Sequence, residues 1–311
     1  MPEQTYDVVV VGGGPSGLMG GQWLARYQHR VLVVDAGDGR NAVTWGVHGF
    51  FGVSDPKPAE LRRIGQEQAR GAGAEFMEGM VERIEGEMDD FRVTCSEGRT
   101  LRARRILLAT GLKDIVPETP GLWDFYGHSI WHCPDCDGPE VVGKPIAVMG
   151  WGQGIAKFCM YMLTWTRDIV LLTDSHPADM STEAMEALDR HGVRIRREAV
   201  LRLEGDMDDK KLRRIILHEG PPEEVEYMFF HIASGPGSTL AADLGCKVDE
   251  DGALEGILEI DKDFQTSVPG IYAAGDITPG SRLVIRAASE GARAALGIHK
   301  SLIPEDRKIR S

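Results

Sequence analysis

The sequence predicts an α/β protein of two βαβ domains, the second inserted within the first, and three observations predict it. Asp7 to Val11 is an unbroken β-branched run that ends in Gly12-Gly13-Gly14-Pro15-Ser16-Gly17. The same order of apolar run and glycine turn returns at Pro145 to Met149, followed by Gly150-Trp151-Gly152-Gln153-Gly154. Much later a third short run, Ile271 to Ala274, enters Gly275-Asp276 and leads to a helix of small residues, Ala287 to Leu296. Continuous apolar runs bounded by turn residues are the pattern of strands covered on both faces, and parallel neighbours require a crossover helix.

Taken in order, the first turn opens helix-like sequence to Tyr27, and a second apolar run, Val31 to Val34, closes on Asp35. That completes one βαβ unit. The second turn opens a helix-like stretch to about Trp165, and Ile169 to Leu172 closes on Thr173-Asp174, so the unit is repeated and points to an internal duplication. Between them Ile106 to Ala109 ends in Thr110-Gly111, and Pro117 and Pro120 then break the chain, which places a boundary near residue 114. Lys247 to Gly256, acidic and glycine-containing, is expected to be the return crossing. The first domain is therefore expected over 1–114 and 248–311, the second over 115–247, and the charged tail Pro304 to Ser311 outside both cores.

With 35 Lys+Arg against 48 Asp+Glu, the 311-residue chain carries a formal charge of −13, which opposes nonspecific nucleic-acid binding. No apolar run reaches membrane-spanning length and no signal peptide is read at the start. Five cysteines, of which only Cys133 and Cys136 are close, fit a reducing compartment, and a cytoplasmic location is expected. The 38 glycines gather in short runs, where backbone turns sharply or meets a ligand.

Gly12-x-Gly14-x-x-Gly17 has the dinucleotide fingerprint in its required setting, after a strand and opening a helix. Gly12 permits the turn, Gly14 clears room for a pyrophosphate against backbone N–H groups, and Gly17 lets helix pack on strand. Asp35, 21 residues beyond Gly14, can accept from ribose hydroxyls. Both units are thus Rossmann-like. In Cys133-Pro134-Asp135-Cys136-Asp137-Gly138, two thiols at i and i+3 can close a small disulfide ring, one thiolate can attack at neutral pH, and Asp137 can move the proton. Zinc held by His128, His132, Cys133 and Cys136 is the competing reading, disfavoured because His132 and Cys133 are adjacent and no distant ligand pair exists; no metal site is expected. Cys95, Cys159 and Cys246 read as buried small apolar residues, His231 as a core histidine, and Trp151, Phe158 and Trp165 as core aromatics. His48, in the loop after the first unit, is either a packing histidine or one that reaches a bound ring.

Together, GGGPSG with Asp35, Ala109-Thr110-Gly111, CPDCDG and the segment Gln265 to Asp276 resemble the low-molecular-weight thioredoxin reductases over nearly the whole chain. The resemblance implies FAD in the split first domain, with Gly12, Gly14, Ser16 and Gly17 at its pyrophosphate and Asp35 on the adenosine ribose. It places Thr110, Gly111, Gly275 and Asp276 around the cofactor and Arg40, Asn41 and His48 in the segment flanking the flavin. It also implies that Cys136 faces the flavin, Cys133 attacks the substrate disulfide, Asp137 supplies the acid, and the protein is a homodimer. Relatives acting as dithiol oxidases often carry His at the position of Asp137, so Asp here leans toward disulfide reduction.

The second turn departs from the family. Where the arginine cluster for the NADPH 2′-phosphate is usual, this chain has Thr173-Asp174-Ser175-His176; Ile155 stands where small residues are usual, and Trp151 puts a large ring at the mouth of the site. A carboxylate at Asp174 repels a 2′-phosphate, so NADPH is not expected. The resemblance then points to a pyridine-nucleotide-independent branch, ferredoxin-linked or diflavin-type. The second domain is expected to bind NADH, to take a second FAD or other nucleotide, or to be vestigial with ferredoxin as electron donor. The expected activity is disulfide exchange with a thioredoxin-like protein or a small-molecule disulfide; the alternatives are an oxygen-using dithiol oxidase and a noncatalytic flavin or zinc sensor.

Overall fold

The computed structural model describes residues 4–177, 179–231, 234–249 and 256–307. The chain divides into two compact units, one of Met1–Ala42, Gly49–Asp114 and Ser234–Ser311 and the other of Val43–His48 and Ile115–Ala233.

The first unit is built on a seven-stranded sheet. Its strands are β1 (Gln4–Val11), β2 (Val31–Asp35), β3 (Glu75–Glu78), β4 (Val81–Glu85), β5 (Phe91–Cys95), β6 (Thr100–Leu108) and β16 (Ile271–Ala273). The order is β3-β2-β1-β6-β5-β4, with β16 on β6. β1, β2, β3, β6 and β16 pair in parallel, whereas β4 and β5 return antiparallel. Val8 and Val10 face one apolar cluster and Val9 and Val11 the other, which is why the run carries no polar alternation. On the first of those faces lie helices α1 (Pro15–Arg26) and α8 (Val284–Leu302). They cross closely enough that a Cβ on Gly291 would lie 2.0 Å from the Ser16 carbonyl oxygen, so the small residues of α8 set the height of the glycine turn above it. Helix α2 (Pro58–Ala72) ends on left-handed Gly73, and the short α7 (Leu240–Asp243) also belongs to this unit.

Two details of the domain boundaries differ from expectation. The chain re-enters the first unit at Ser234 and not near residue 248. The cause is a two-stranded ribbon, β7 (Leu112–Asp114) against β15 (Ser234–Pro236), with Ser234 opposite Asp114. The acidic stretch read as the crossing lies within the first unit, where Val248 bridges Leu258; its residues 250–255 lie outside the described residues. Likewise Val43–His48 belongs to the second unit. The Trp45 N–H donates to the Gly127 carbonyl at 3.1 Å, and a Cβ on Gly127 would lie 2.4 Å from the Val43 carbonyl oxygen.

The second unit has a sheet of β8 (Ile130–Trp131), β9 (Ile146–Met149), β10 (Ile169–Leu172), β11 (Arg194–Arg196) and β14 (Met228–Phe230), and an antiparallel ribbon of β12 (Val200–Asp206) and β13 (Lys211–Leu217). The five sheet strands are parallel, in the order β11-β10-β9-β14-β8. Helices α5 (Ile155–Met162) and α6 (Thr182–Arg190) follow β9 and β10, and two four-residue helices, α3 (Leu122–Phe125) and α4 (Pro134–Asp137), precede β9. Ser181 caps α6, its Oγ accepting the Ala184 N–H at 3.2 Å. Among the described residues no helix is long and apolar enough to cross a membrane.

Candidate active site

In the first unit the glycine turn is locked from behind and open in front. Gly12 has φ +107, and a Cβ there would lie 2.4 Å from the Ala109 carbonyl oxygen; one on Gly17 would lie 1.8 Å from the Gly12 carbonyl oxygen. Gly14, extended before α1, has nothing within 4 Å of its Cβ position, so bare backbone faces open space at a helix start. That is the cradle an anionic cofactor group requires. Ser16 meets Gly275, whose Cβ position is 2.6 Å from the Ser16 Oγ. Buried Glu290 holds this loop, accepting from the Gly275 N–H at 3.0 Å and the Thr278 hydroxyl at 2.7 Å while Arg286 pairs with it at 2.7 Å. Arg40 donates to Asp276 at 3.0 Å and through Nε to Asp114 at 2.9 Å, with Asn41 next in the same turn. Left-handed Gly111, beside Thr110, accepts the Gly237 N–H at 2.9 Å.

The cysteines lie in the second unit. Cys133 is extended and Pro134 occupies the first turn of α4, where a missing N–H is harmless. The Cys133 carbonyl accepts from the Cys136 and Asp137 N–H groups at 3.2 and 3.1 Å, which folds the i,i+3 pair into one turn and leaves the Cα atoms 5.3 Å apart, joined as a disulfide. Both sulfurs are thereby taken from the zinc reading. Both cysteines are half-buried, but Asp137 is only 6% exposed. Burial pushes its carboxyl up to about 7; His48 opposes the rise and Glu140 adds to it. A group protonated near neutrality therefore follows Cys136 directly. A Cβ on Gly138 would lie 2.5 Å from the Trp165 ring, so the CDG glycine is required by packing. Tyr161 donates its hydroxyl to Asp135 at 2.5 Å, and Tyr126 shares a 2.9 Å hydrogen bond with His132 Nδ1.

The other cysteines are chemically quiet. Burial pushes Cys159 up to about 12 and Cys95 to about 11, and raises Cys246, so none forms a thiolate near neutrality.

The second glycine turn is lined by the protein's own rings. Trp151 stacks on His176 with centroids 3.7 Å apart and planes 6° from parallel, joining the turn to the end of β10. The Cβ position of Gly154 is 3.1 Å from the His231 ring, and that of Gly150 is 2.7 Å from Ile155 Cδ1. Asp174, left-handed at φ +48, turns a carboxylate oxygen to the Val200 N–H at 2.7 Å. His231 is exposed at its end of β14 and faces this turn, so it is not the core histidine expected.

Within the first unit, then, Gly12, Gly14, Ser16, Gly17, Gly275 and Asp276 gather at one loop cluster, with Arg40 on Asp276 and Asp35 at the end of β2. His48 is not among them: it lies in the second unit, where its charge acts on Asp137. Sequence reasoning passed over Arg62, Arg286 and Glu290; the one signal for Glu290 was a lone carboxylate within a helix of small residues.

The profile of the family "Pyridine nucleotide-disulphide oxidoreductase" matches residues 6–291. A thioredoxin reductase of Treponema pallidum is 30% identical over 305 residues, covering 94% of this chain and 96% of the relative. The crystal structure of the putative thioredoxin reductase TrxB from Bacillus anthracis superposes with a TM-score of 0.89 at 27% identity, covering 97% of this chain and 100% of that one. That of HlmI superposes with a TM-score of 0.89 at 33% identity, covering 96% and 93%.

Proposed function

This chain belongs to the pyridine nucleotide-disulphide oxidoreductase family and is a thioredoxin reductase-like flavoprotein and disulfide oxidoreductase, and we propose that within that family it reduces a disulfide through Cys133 and Cys136 with FAD, without NADPH. The observation that carries the reading is the half-buried disulfide followed by a buried carboxyl that holds its proton near neutral pH.

FAD would be held at the Gly12–Gly17 cradle, and the chemistry it would supply there is the electron pair that opens the Cys133–Cys136 disulfide. Cys133 Sγ then attacks one sulfur of the substrate disulfide; a new S–S bond forms as the substrate bond breaks, and the departing thiolate takes a proton from Asp137. Cys136 Sγ attacks the mixed disulfide at Cys133, restores the intramolecular bond and releases the second substrate thiol. The dithiol is oxidised by two electrons and the substrate reduced by two. The substrate is a thioredoxin-like protein or a small-molecule disulfide, and the working unit is a homodimer.

The reading without NADPH rests on the second turn. The adenosine of a dinucleotide would have to part Trp151 from His176, and its 2′-phosphate would meet Asp174 with no arginine at 173–176. Reduced ferredoxin or NADH is the electron donor proposed. The test is an anaerobic titration of the purified protein with NADPH, NADH and reduced ferredoxin in turn, following flavin absorbance. Rapid bleaching by NADPH overturns the donor assignment; oxygen uptake with peroxide formation on adding a dithiol would instead favour oxidase direction.

A further inference from the structure

We propose that Arg62 is a positioning residue for the adenosine half of the cofactor, holding the Asp35 carboxylate in the orientation that the ribose hydroxyls meet. The proposal rests on the reading that the first-unit cradle takes FAD.

Asp35 closes β2, and its Oδ2 lies 2.3 Å from where a Cβ on Gly13 would be, so the carboxylate packs directly on the glycine turn. A carboxylate only 17% exposed needs partners. Two are present: the Gly37 N–H donates to Oδ1 at 3.3 Å, and Arg62 Nη2 pairs with Oδ2. Arg62 Nη1 also donates to the Gly37 carbonyl at 3.3 Å, so one guanidinium fixes both the acid and the loop after it. The placement of Arg62 follows from α2. Gly65, one turn further on, brings that helix against α1, since a Cβ there would lie 2.9 Å from Leu18 Cδ1.

The chemistry suits a diol. An ionised carboxylate only accepts hydrogen bonds and has about four lone-pair sites. Gly37 and Arg62 take a share of these, leave acceptors for two hydroxyl donors, and prevent rotation of the group. An ion pair whose arginine reaches solvent adds little to fold stability by itself. Its removal should therefore be read in cofactor affinity.

The test follows FAD release from the diluted full-length holoprotein by the rise in flavin fluorescence, for Arg62→Gln, Arg62→Lys, Asp35→Asn and the double variant Asp35→Asn with Arg62→Gln. Arg62→Gln is expected to weaken FAD by about tenfold, the worth of one oriented charge-assisted contact, while Arg62→Lys keeps most of the affinity. In competition against FAD, ADP should weaken by the same factor and FMN should keep its affinity. In the Asp35→Asn background Arg62→Gln should cause no further loss. An unchanged FAD affinity in Arg62→Gln beside a weakened Asp35→Asn overturns the proposal and leaves the role of Asp35 standing. Equal losses from Arg62→Gln in both backgrounds make Arg62 a packing residue only and also overturn it. No loss in either single variant overturns the assignment of Asp35 together with the proposal.

Discussion

The two glycine turns of this molecule share a motif and differ in what surrounds it. At Gly12–Gly17, Gly12 and Gly17 are pressed on backbone, Gly13 on the Asp35 carboxylate, and Gly14 faces open space, while Asp35 is held by Arg62 and Gly37. At Gly150–Gly154, Gly150 is closed by Ile155 and Gly154 by His231, Trp151 stacks on His176, Gly152 faces open space, and Asp174 turns to the Val200 N–H. The spacing of glycines is the same kind of signal in both. Whether backbone N–H groups are left accessible to a ligand is decided by neighbours from other strands and helices.

The largest effect separates the units by chemistry. Cys133→Ser should abolish disulfide reduction, since Cys136 loses its disulfide partner and Cys95, Cys159 and Cys246 form no thiolate near neutral pH, while released flavin per chain stays unchanged because the cradle lies in the other unit. Undiminished turnover would break the assignment.

Asp137→Asn comes next, with a loss of turnover of about a hundredfold, the usual scale for one general acid. Its pH behaviour has a definite sign. The folded carboxyl titrates at about 7, and the active form is the protonated one, so wild-type turnover should fall as pH rises through about 7 and the variant should lack that limb. The folded pKa is raised above the unfolded value of about 3.9, so the folded state holds a proton that the unfolded state has released. Stability should decline from about pH 4 to about pH 7 and then level off; denaturant melts of the two proteins across that range check it.

A matched pair of alanine substitutions tests the turns themselves. Gly17→Ala forces a Cβ to within 1.8 Å of the Gly12 carbonyl oxygen and should destabilise the first unit by several kcal/mol, with loss of flavin. Gly152→Ala has open space around it and suffers only its left-handed φ of +81, so about 1 kcal/mol is expected and flavin should remain. Similar melting temperatures for the two variants would erase the distinction drawn between the sites.

The distinction was partly visible in the sequence. Runs such as Asp7 to Val11 announce buried parallel strands because each residue must suit an apolar face, and the i,i+3 cysteines close a disulfide through local backbone alone. What was hidden depends on long-range pairing. Three residues at Ser234 find Asp114 across the inserted unit, too short a match to leave a period in the sequence, whereas the acidic glycine-containing stretch further on looked more like a crossing. Gly127 captures Val43–His48 for the second unit through one close approach that no pattern encodes. Arg62 sits on a helix with a broad polar face, where one arginine resembles its neighbours until the fold brings it to Asp35.

The smallest expected effect bears on the second turn. Trp151 is 40% exposed, so its stack on His176 contributes at the low end of the range for aromatic pairs, about 0.5 kcal/mol. Trp151→Ala should therefore shift the melting temperature by only a degree or two. Its informative readout is the anaerobic titration. If the ring stack is the barrier to a dinucleotide, the variant should bleach its flavin with NADH faster than the wild type does, and NADPH should lag because Asp174 remains and residues 173–176 still carry no arginine. Equal acceleration by both nucleotides would show that charge at the strand end does not discriminate between them. No acceleration by either would move the barrier from the stack to Ile155 and His231 behind it.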